Sequence, residues 1–416
     1  FRPAAYGNIR HVLLLALLMV ALAAAAAVVA RTSLAVELIP IAFPALVIAA
    51  LWDGRMALNF ALVMAVLLAG QAPLVGVTAL LTMALGGAAA ALSVRVVRRR
   101  AQTWGFGALI ALAYLAAAIT MGLMRAHSFT EVFTSAGWGT ANAVISAILA
   151  MGFLPLFEAF TRITTDQTLL ELSDLNRPLL KRLALEAPGT YAHSINVANL
   201  AEAAARGIGA NALLTRVGVY YHDVGKVVKP QYFVENQPHG RNPHDKLKPS
   251  TSATVVRGHV LEGLRLADEA KLPDPVKAFI AEHHGTQTIS FFYEKAQEAD
   301  PEAELNPRDF SYPGPRPQSK ETAILMIADA SESAARVLPD PTPDRIRDLV
   351  NRLVDARIAQ GQLDEAPLTL RELSRIKDEL VSVLSGVYHH RIDYPTMPMP
   401  AAERAPAAAG RGAGPG

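Results

Sequence analysis

The sequence predicts an all-α protein made of two unlike halves, a polytopic bundle of transmembrane helices followed by a cytosolic, all-helical domain. Up to about Phe160 the chain is dominated by Ala, Leu, Val, Met and Gly, whereas from Thr161 onward it has the mixed charge of a soluble domain. No segment shows the sustained alternation of apolar and polar residues that is typical of a half-buried β-strand. The overall hydrophobic fraction of 51% is an average over the two halves and hides this contrast.

The composition excludes several classes of function. A net charge of +2 over 416 residues gives no reason to expect a DNA or RNA polymer as a partner. Since the chain has no cysteine, it cannot use disulfides, thiolate catalysis, or sulfur-ligated zinc or iron–sulfur clusters. Any metal ion must therefore be held by His, Asp or Glu. The first residue is Phe1 and not Met, so we expect the chain to be a fragment of a longer protein, truncated at its N-terminus.

Six apolar segments of the first half are candidates for crossing a bilayer, which requires about 20 apolar residues in a helix. The turn signal Gly70-Gln71-Ala72-Pro73 divides a stretch that is too long for one crossing. We therefore predict a bundle of about six helices over residues 1–160, with the lipid bilayer as its partner. The segments are Val12–Ala30, Leu34–Trp52, Met56–Ala69, Leu74–Val94, Phe106–Met124 and Ala141–Phe160.

Basic residues near the ends of these segments predict the orientation of the bundle. With six crossings, most of them lie on the same side as the cluster between Arg95 and Arg100, and the opposite side has only Arg31 and Arg125. The positive-inside rule then places both ends of the bundle, and the whole second half, in the cytosol. Glu37 lies in an apolar segment near its outer end and is interpreted as an interfacial carboxylate, with a transport or sensing role as the less favoured alternative.

The second half is predicted to contain a helical connector over residues 161–187, an all-helical domain over residues 188–395 and a disordered tail over residues 396–416. Caps and stop signals divide the domain into helices, separated by the loop Gln237–Ser250, which could cover a site, and the loop Pro301–Pro317. The predicted helices are Thr190–Arg206, Asn211–Val224, Ser252–Ala270, Pro275–His284, Glu321–Val337, Asp344–Gln360 and Leu368–Tyr388.

Side chains that bind metal ions recur through the second half, each in a helix or at a helix end. Adjacent His-Asp and His-His pairs, with lone histidines between them, can surround two cations, and these ligand types suit Fe, Mn, Zn or Co. A lone histidine in a helix is more often an ordinary polar residue, so the prediction depends on the whole set. The predicted ligands are His193, His222, Asp223, His259, His283, His284 and Asp329. The other histidines, His239, His244, His389 and His390, are predicted to lie in a loop or on the surface.

A pair of cations of this kind predicts hydrolysis at phosphorus. Two ions about 3.5–4 Å apart lower the pKa of a water molecule and yield a hydroxide nucleophile, so no Ser or Cys nucleophile is required. Asp223 is in position to bridge the ions, which gives it a catalytic role. Lys226, four residues after His222, either contacts a phosphate oxygen or is a charge favoured by the dipole at a helix C-terminus. The sequence leaves both roles of Lys226 open.

Four segments resemble the HD superfamily of phosphohydrolases: Thr190–Ser194 (TYAHS), His222–Lys226 (HDVGK), His283–Thr286 (HHGT) and Ile327–Ala330 (IADA). More specifically, the chain resembles the seven-transmembrane HD family, bacterial membrane phosphodiesterases that hydrolyse cyclic di-AMP to linear pApA. The resemblance covers about residues 30–394 and implies an enzyme of the bacterial inner (plasma) membrane. That family carries an extracellular domain before seven helices, so a truncated N-terminus would account for the six helices predicted here.

The resemblance also implies how the ligands are shared and what the protein binds. Two irons or manganeses are expected, with Asp223 bridging them. One ion would be held by His193, His222 and Asp329, and the other by His259, His283 and His284. The implied partners are a cyclic dinucleotide substrate and, as one candidate assembly, a second copy of the chain in a homodimer.

Two other functions stay open at this point. The domain could hydrolyse another nucleotide, such as cyclic di-GMP, a guanosine polyphosphate or a deoxynucleotide, or it could be a catalytically silent receptor or binding module. The related HD-GYP enzymes, which act on cyclic di-GMP, carry Gly-Tyr-Pro after His-His-Glu; residues 285–288 here read GTQT, which disfavours that substrate. The complete ligand set disfavours a silent module. Phe291, Phe292 and Tyr293 could stack on adenine, although packing onto the core is favoured for at least two of them.

Overall fold

The computed structural model describes residues 7–32, 34–96, 103–237, 242–302 and 304–388. Within these ranges the chain forms sixteen α-helices, several of them joined by 3₁₀ turns. The β-structure of the described residues is limited to one isolated bridge between Thr288 and Ser311. The prediction of an all-α fold is therefore confirmed. The predicted disordered tail, residues 396–416, and His239, His389 and His390 lie outside the described residues.

The first half contains six apolar helices, but only four of them are long and apolar enough to cross a membrane, namely α1, α4, α5 and α6. At 1.5 Å per residue, α2 and α3 reach about 15 and 24 Å, against a hydrocarbon thickness of about 30 Å. Among the described residues there are thus four candidates of full membrane-spanning length and two shorter apolar helices, and the number of crossings stays a prediction. The six are α1 (Ile9–Arg31), α2 (Ala42–Leu51), α3 (Gly54–Ala69), α4 (Val77–Val96), α5 (Thr103–Arg125) and α6 (Phe129–Thr161).

The second predicted segment, Leu34–Trp52, is not a single helix. Its first part forms a 3₁₀ turn at Val36–Leu38, and α2 begins only at Ala42. Pro40 lies between the two, and a proline has no N–H group with which to continue a helix. The apolar run that the sequence pattern joins into one span is therefore a turn followed by a short helix.

Glu37 lies in this turn and is buried against other residues of the chain, with only 8% of its surface exposed. Its position at the membrane interface stays a prediction. The Ser135 hydroxyl of α6 donates to its carboxylate. The Asn142 side chain, also in α6, donates to the backbone carbonyls of Glu37 and Ile39 at 2.6 and 2.9 Å. The two bonds from Asn142 satisfy backbone carbonyls that would have been bonded within an unbroken helix. Polar side chains thus stabilise the turn inside an apolar bundle.

The last apolar helix begins well before the predicted segment Ala141–Phe160. Ser128 caps it, because its side chain accepts from the backbone N–H of Glu131 while the Glu131 carboxylate accepts from the N–H of Ser128. This capping box fixes the helix start at Phe129, twelve positions earlier than the apolar pattern indicates. Glu131, which lies between the fifth and sixth predicted segments, is therefore part of a helix.

The second half follows the predicted order of helices with small shifts at the ends, and two differences concern the site. A helix at residues 290–299 was not predicted, and the helix predicted to run to Val224 ends at Tyr221 and continues as a 3₁₀ turn, Val224–Val228. The helices are α7 (Asp166–Leu172), α8 (Pro178–Glu186), α9 (Pro188–Ile208), α10 (Ala212–Tyr221), α11 (Pro249–Glu269), α12 (Asp274–Glu282), α13 (Ser290–Ala299), α14 (Lys320–Arg336), α15 (Pro343–Ala359) and α16 (Leu370–Val387).

Buried apolar side chains form two large clusters, one between Leu14 and Leu154 and the other between Leu169 and Leu384. In the second cluster, α14 passes through the centre: Ile324, Leu325 and Ile327 are at most 1% exposed. This burial fixes the rotation of α14 and so the direction in which its polar residues point. The domain boundaries at residues 160, 187 and 395 stay predictions.

Candidate metal centre

The structure brings all seven predicted ligand residues together. His193 lies in α9, His259 in α11 and Asp329 in α14, whereas the two adjacent pairs follow the ends of α10 and α12. Their ligand atoms form three overlapping groups, and within each group the atoms lie within 4.8 Å of one another. The groups are His193, His222 and Asp329; His222, Asp223 and His283; and His259, His283 and His284.

The two adjacent pairs can point into one space because each stands where a helix ends. His222 is the last residue of α10 with helical backbone angles, and Asp223 leaves the helical path at φ −108° and ψ 14°. His283 closes α12 in the same way, and Gly285 then takes a left-handed conformation with φ 53°. Side chains that would diverge by about 100° on a continuous helix are thereby turned towards a common centre.

Asp223 lies at that centre, with 2% of its side chain exposed. Its Oδ2 atom is 3.3 Å from Nε2 of His222 and 3.9 Å from Nε2 of His193. Its Oδ1 atom is 3.3 Å from Nε2 of His259 and 3.6 Å from Nε2 of His283. Each carboxylate oxygen therefore faces one group of imidazoles, which is the arrangement that a carboxylate bridging two cations requires.

Hydrogen bonds to the other ring nitrogen set the tautomer of three imidazoles. Nδ1 of His222 lies 2.7 Å from the Val219 carbonyl, Nδ1 of His259 lies 2.6 Å from the Val256 carbonyl, and Nδ1 of His283 lies 2.9 Å from the Ile280 carbonyl. A carbonyl only accepts, so Nδ1 carries the proton and Nε2 presents a lone pair to the centre. Metal-binding histidines are oriented in this way in most metalloproteins.

Unsatisfied buried atoms indicate that these residues fit a pair of cations. Nε2 of His222 and Oδ1 of Asp223 are buried without a hydrogen-bond partner in the described residues. Nε2 of His259 lies 3.3 Å from Nε2 of His283, where two lone pairs repel unless a proton or a cation lies between them. Metal–nitrogen bonds of about 2.1 Å separate neighbouring ligand nitrogens by about 3.0–3.4 Å, which matches the observed spacing.

His193 differs from the other three because a carboxylate, not a carbonyl, holds its Nδ1. Glu332 Oε2 lies 2.7 Å from that nitrogen, and Asp329 Oδ1 lies 2.9 Å from Nε2. Burial alone lowers the pKa of His193, but the hydrogen bonds to Asp329 and Glu332 raise it overall to about 10. Glu332 is not among the residues predicted from the sequence; its signal is a charged residue three positions after Asp329, on the same face of a helix.

His259, His284 and Asp223 are in the protonation state that metal ligands need. Burial lowers the pKa of His259 to about 3 and holds the pKa of His284 well below its usual value, so both rings are neutral near pH 7. Burial raises the pKa of Asp223, but Lys226 and His222 outweigh it and hold that pKa well below the usual value. Neutral imidazoles and ionised carboxylates need lose no proton before binding a cation.

The sequence falls into two recognised family regions. Residues 1–165 match the family described as a seven-transmembrane receptor with an intracellular HD hydrolase, and residues 190–334 match the HD domain. The HD domain of the Listeria monocytogenes phosphodiesterase PgpH, solved in complex with cyclic di-AMP, is 44% identical in sequence and superposes with a TM-score of 0.50. The match covers all of that domain and 52% of this chain. This chain belongs to the seven-transmembrane HD family.

Two curated relatives match much of this chain. The cyclic-di-AMP phosphodiesterase PgpH of Listeria monocytogenes serotype 1/2a (strain 10403S) is 39% identical over 313 residues, which are 75% of this chain and 43% of the relative. The protein of the same name from Bacillus subtilis (strain 168) is 43% identical over 270 residues, 65% of this chain and 38% of the relative. The chain thus spans about two fifths of the length of the curated relatives it matches.

Lys226 of the HD domain is held by two carboxylates. Its Nζ atom lies 2.6 Å from Asp223 Oδ2 and 2.9 Å from Glu235 Oε1, and it also lies over the ring of Phe233 at 5.1 Å. Lys226 belongs to the 3₁₀ turn that follows α10, and both of its predicted roles stay predictions. Glu235 is not among the residues predicted from the sequence, since no spacing rule connects it with Lys226.

Aromatic residues line the HD site from the chain segments around it. Tyr312 stacks on His284, with ring centroids 4.1 Å apart. Phe292 is 7% exposed and packs with Phe310, and Tyr293 packs against the same cluster, whereas Phe291 is 63% exposed. Packing is therefore the role of two residues of this aromatic run, as predicted, and Phe291 alone is available for stacking on a ligand.

His244 is buried, although the sequence places it in a loop. It is 6% exposed, its ring lies 5.0 Å from that of Phe292, and its Nε2 is 2.9 Å from the Tyr232 carbonyl. The described part of the loop 237–250 is therefore anchored by His244, which is not among the metal-ligand groups of the described residues. Whether this loop covers the site stays a prediction.

Proposed function

We propose that this membrane-anchored chain is a metal-dependent phosphodiesterase that hydrolyses cyclic di-AMP to linear pApA. The observation that carries the proposal is the position of Asp223, each of whose oxygens faces two imidazoles of a different ligand group. The activity in the names of the relatives, and the cyclic di-AMP in the complex of the related HD domain, support the choice of substrate.

The proposed cofactors are two divalent cations, Fe or Mn. His193, His222 and Asp329 would hold one and His259, His283 and His284 the other, with Asp223 shared between them. When bound, the cations supply the Lewis acidity that activates water and offsets charge on the phosphodiester. The protein's own contribution is to fix the spacing through Asp223 and to present each imidazole lone pair through a hydrogen bond at the opposite nitrogen.

The proposed setting is the inner (plasma) membrane of a bacterium, with the helices of residues 1–160 in the bilayer and the HD domain, residues 188–395, in the cytosol. Four helices of membrane-spanning length support the anchor, and the basic cluster near residues 95–100 supports the orientation. The connector at residues 161–187 would join the two. A homodimer, and the lack of a DNA or RNA polymer partner, stay predictions.

The test is a substrate panel with the full chain purified in detergent and loaded with Mn²⁺. We expect cyclic di-AMP to be converted to pApA, and cyclic di-GMP, a guanosine polyphosphate and deoxynucleotides to be converted more slowly. Product from one of the other nucleotides only would replace the proposed substrate. A protein that contains two ions, binds cyclic di-AMP and releases no product with Mn²⁺ or Fe²⁺ would instead be a binding module.

Replacing Lys226 with methionine should lower kcat/KM for cyclic di-AMP by about 10–100-fold, because a hydrogen bond to a charged group contributes about 1.5–3 kcal/mol. Lys226 is 13% exposed and is the proposed contact to a phosphate oxygen of the substrate. The metal content of the variant, measured by elemental analysis, should stay at two ions. The measurement is steady-state kinetics of pApA release.

The matched control is Lys229→Met, which removes an exposed lysine from the end of the same 3₁₀ turn and should leave the kinetics unchanged. If Lys226→Met and Lys229→Met had the same kcat/KM, Lys226 would have no role with the substrate. A loss of bound metal in Lys226→Met would instead assign Lys226 to the support of Asp223.

A further inference from the structure

The two proposed cation positions differ in their own charge. We call the group His193, His222 and Asp329 the aspartate position, and the group His259, His283 and His284 the three-histidine position. Asp223 is shared almost evenly, with its shortest contact 3.3 Å on either side. Two charged groups therefore distinguish the positions: Asp329 is an anionic ligand where the other position has only imidazoles, and Lys226 lies 2.6 Å from Oδ2, the Asp223 oxygen on the aspartate side. A carboxylate attracts a divalent cation more strongly than an imidazole does at the same distance.

The two positions also differ in the groups that bond to the ligand side chains on the side away from the cation. In the three-histidine position, His259 and His283 are held by backbone carbonyls. The ring of His284 shows no hydrogen bond within the described ranges and is oriented by its stacking on Tyr312, at an interplanar angle of 24°. One ligand of this position is therefore held by packing alone, so it can rotate away without breaking a hydrogen bond.

In the aspartate position, a buried carboxylate holds His193. Glu332 is 3% exposed and accepts from Nδ1 of His193 at 2.7 Å. Nη2 of Arg336 also lies 3.2 Å from this Nδ1. A guanidinium has no acceptor atom, so Glu332 is the group that accepts the Nδ1 proton. His193 has a pKa of about 10, so a cation must displace the proton on Nε2. Once that proton has left, an anionic partner makes the imidazole a stronger electron-pair donor to a cation than a neutral carbonyl does.

Arg336 in turn fixes Glu332. One nitrogen of its guanidinium, Nη2, donates to both carboxylate oxygens, at 2.6 and 2.7 Å. Asp329, Glu332 and Arg336 all stand on α14, three and four positions apart, so they share one face of a single helix. The same helix therefore carries the anionic ligand Asp329, the carboxylate of Glu332 that holds the ligand His193, and the guanidinium of Arg336 that neutralises Glu332.

We propose that the two positions are inequivalent: Glu332, held by Arg336, is a positioning residue that makes the aspartate position bind its cation more tightly, and the three-histidine position loads last and exchanges. This inference rests on the two-cation centre of the proposed function. Loss of an outer hydrogen-bond partner lowers metal affinity by about 10–100-fold, and Asp329 adds to that difference. An intermediate with one cation per chain is expected over a range of metal concentrations.

The experiment is a titration of metal-free full chain with Mn²⁺, followed by calorimetry and by elemental analysis after removal of free metal. Two steps separated by at least tenfold in dissociation constant are expected. His284→Ala should lose the weak step and keep the tight one, whereas Asp329→Asn should weaken the tight step. Two equal steps, or a tight step that survives Asp329→Asn and disappears in His284→Ala, would overturn the proposal.

Glu332→Gln should weaken the tight step by about 10–100-fold without changing the weak step. Arg336→Met, which keeps Glu332, should weaken it less. The matched control is Glu202→Gln. Glu202 pairs with Arg206 and Arg216 and is not a neighbour of the ligands, so this variant should leave both binding steps unchanged. Equal affinities in Glu332→Gln and Glu202→Gln, with both variants folded by circular dichroism, would remove the role of Glu332.

These measurements separate the inference from the proposed function. Ion counts and affinities need no turnover, so stepwise binding by a chain that hydrolyses no nucleotide would keep the inference and remove the phosphodiesterase. Hydrolysis of cyclic di-AMP by a chain that binds both ions with equal affinity would keep the phosphodiesterase and remove the inference.

Discussion

Replacing Asp223 with asparagine is expected to abolish the hydrolysis of cyclic di-AMP and to reduce the bound metal below two ions per chain. Asparagine has nearly the same shape, but it carries no charge and cannot offer an anionic oxygen to each side. Four imidazoles and Lys226 surround this carboxylate, which is 2% exposed. Breaking a buried charge pair costs about 3–5 kcal/mol. If the variant loses an interaction of that size with the cations in the transition state, kcat/KM falls by about 10²–10⁴-fold.

The measurements are pApA release and elemental analysis of the purified variant. Asp378→Asn is a suitable control, because Asp378 pairs with Arg347 at the exposed surface of the same half and lies outside every ligand group. Its activity and metal content should equal those of the wild type. An Asp223→Asn variant with two tightly held ions and normal turnover would show that the carboxylate does not bridge the cations, and the proposed function would then lose its main support.

Gly225→Ala should destabilise the protein and weaken the metal centre together. A Cβ atom at this position would lie 1.9 Å from the carbonyl oxygen of His259 and 2.5 Å from the backbone nitrogen of Gly263. Backbone atoms of a helix cannot rotate aside, so α11 must move away from the 3₁₀ turn that follows Asp223. Overpacking of this kind costs about 1–3 kcal/mol or more, and it displaces ligands on both sides of the contact.

Thermal unfolding and metal content measure the two effects. The control is Gly258→Ala in α11 itself, where an added Cβ would meet nothing within 4 Å. Because alanine is favoured over glycine inside a helix by about 0.5–1 kcal/mol, Gly258→Ala should be neutral or stabilising. If Gly225→Ala unfolded at the wild-type temperature and kept both ions, the close approach of α11 to this turn would be irrelevant to the site.

The fold was predictable where local patterns decide it. Caps, stop signals and apolar periodicity located most helices of the second half to within a few residues. The failures have local causes too: Pro40 breaks the second apolar segment, and the capping box at Ser128 starts α6 early. The short α13 was missed, and its buried contact between Phe292 and Phe310 joins separate segments of the chain, which local patterns do not reveal.

The predicted ligand residues converge, but their surroundings could not be foreseen. Glu332 and Glu235 are ordinary charged residues in the sequence, and they became recognisable only as the partners of His193 and Lys226. Gly225 directly follows the predicted helix Asn211–Val224, and the sequence gives no sign of the close approach of the His259 carbonyl that excludes a side chain there. These are relations between residues far apart in the chain, for which spacing along the sequence carries no information.

By itself, the sequence determined the all-helical class, the apolar character of the first half and the chemical types of the candidate ligands, because these follow from composition and from periods of a few residues. Only the tertiary structure decided that the two oxygens of Asp223 face different imidazole groups, that one imidazole is held by a buried glutamate, and that two backbones meet at Gly225. The reason is physical: a distance between groups on separate helices depends on how those helices pack, and packing is a property of the whole core.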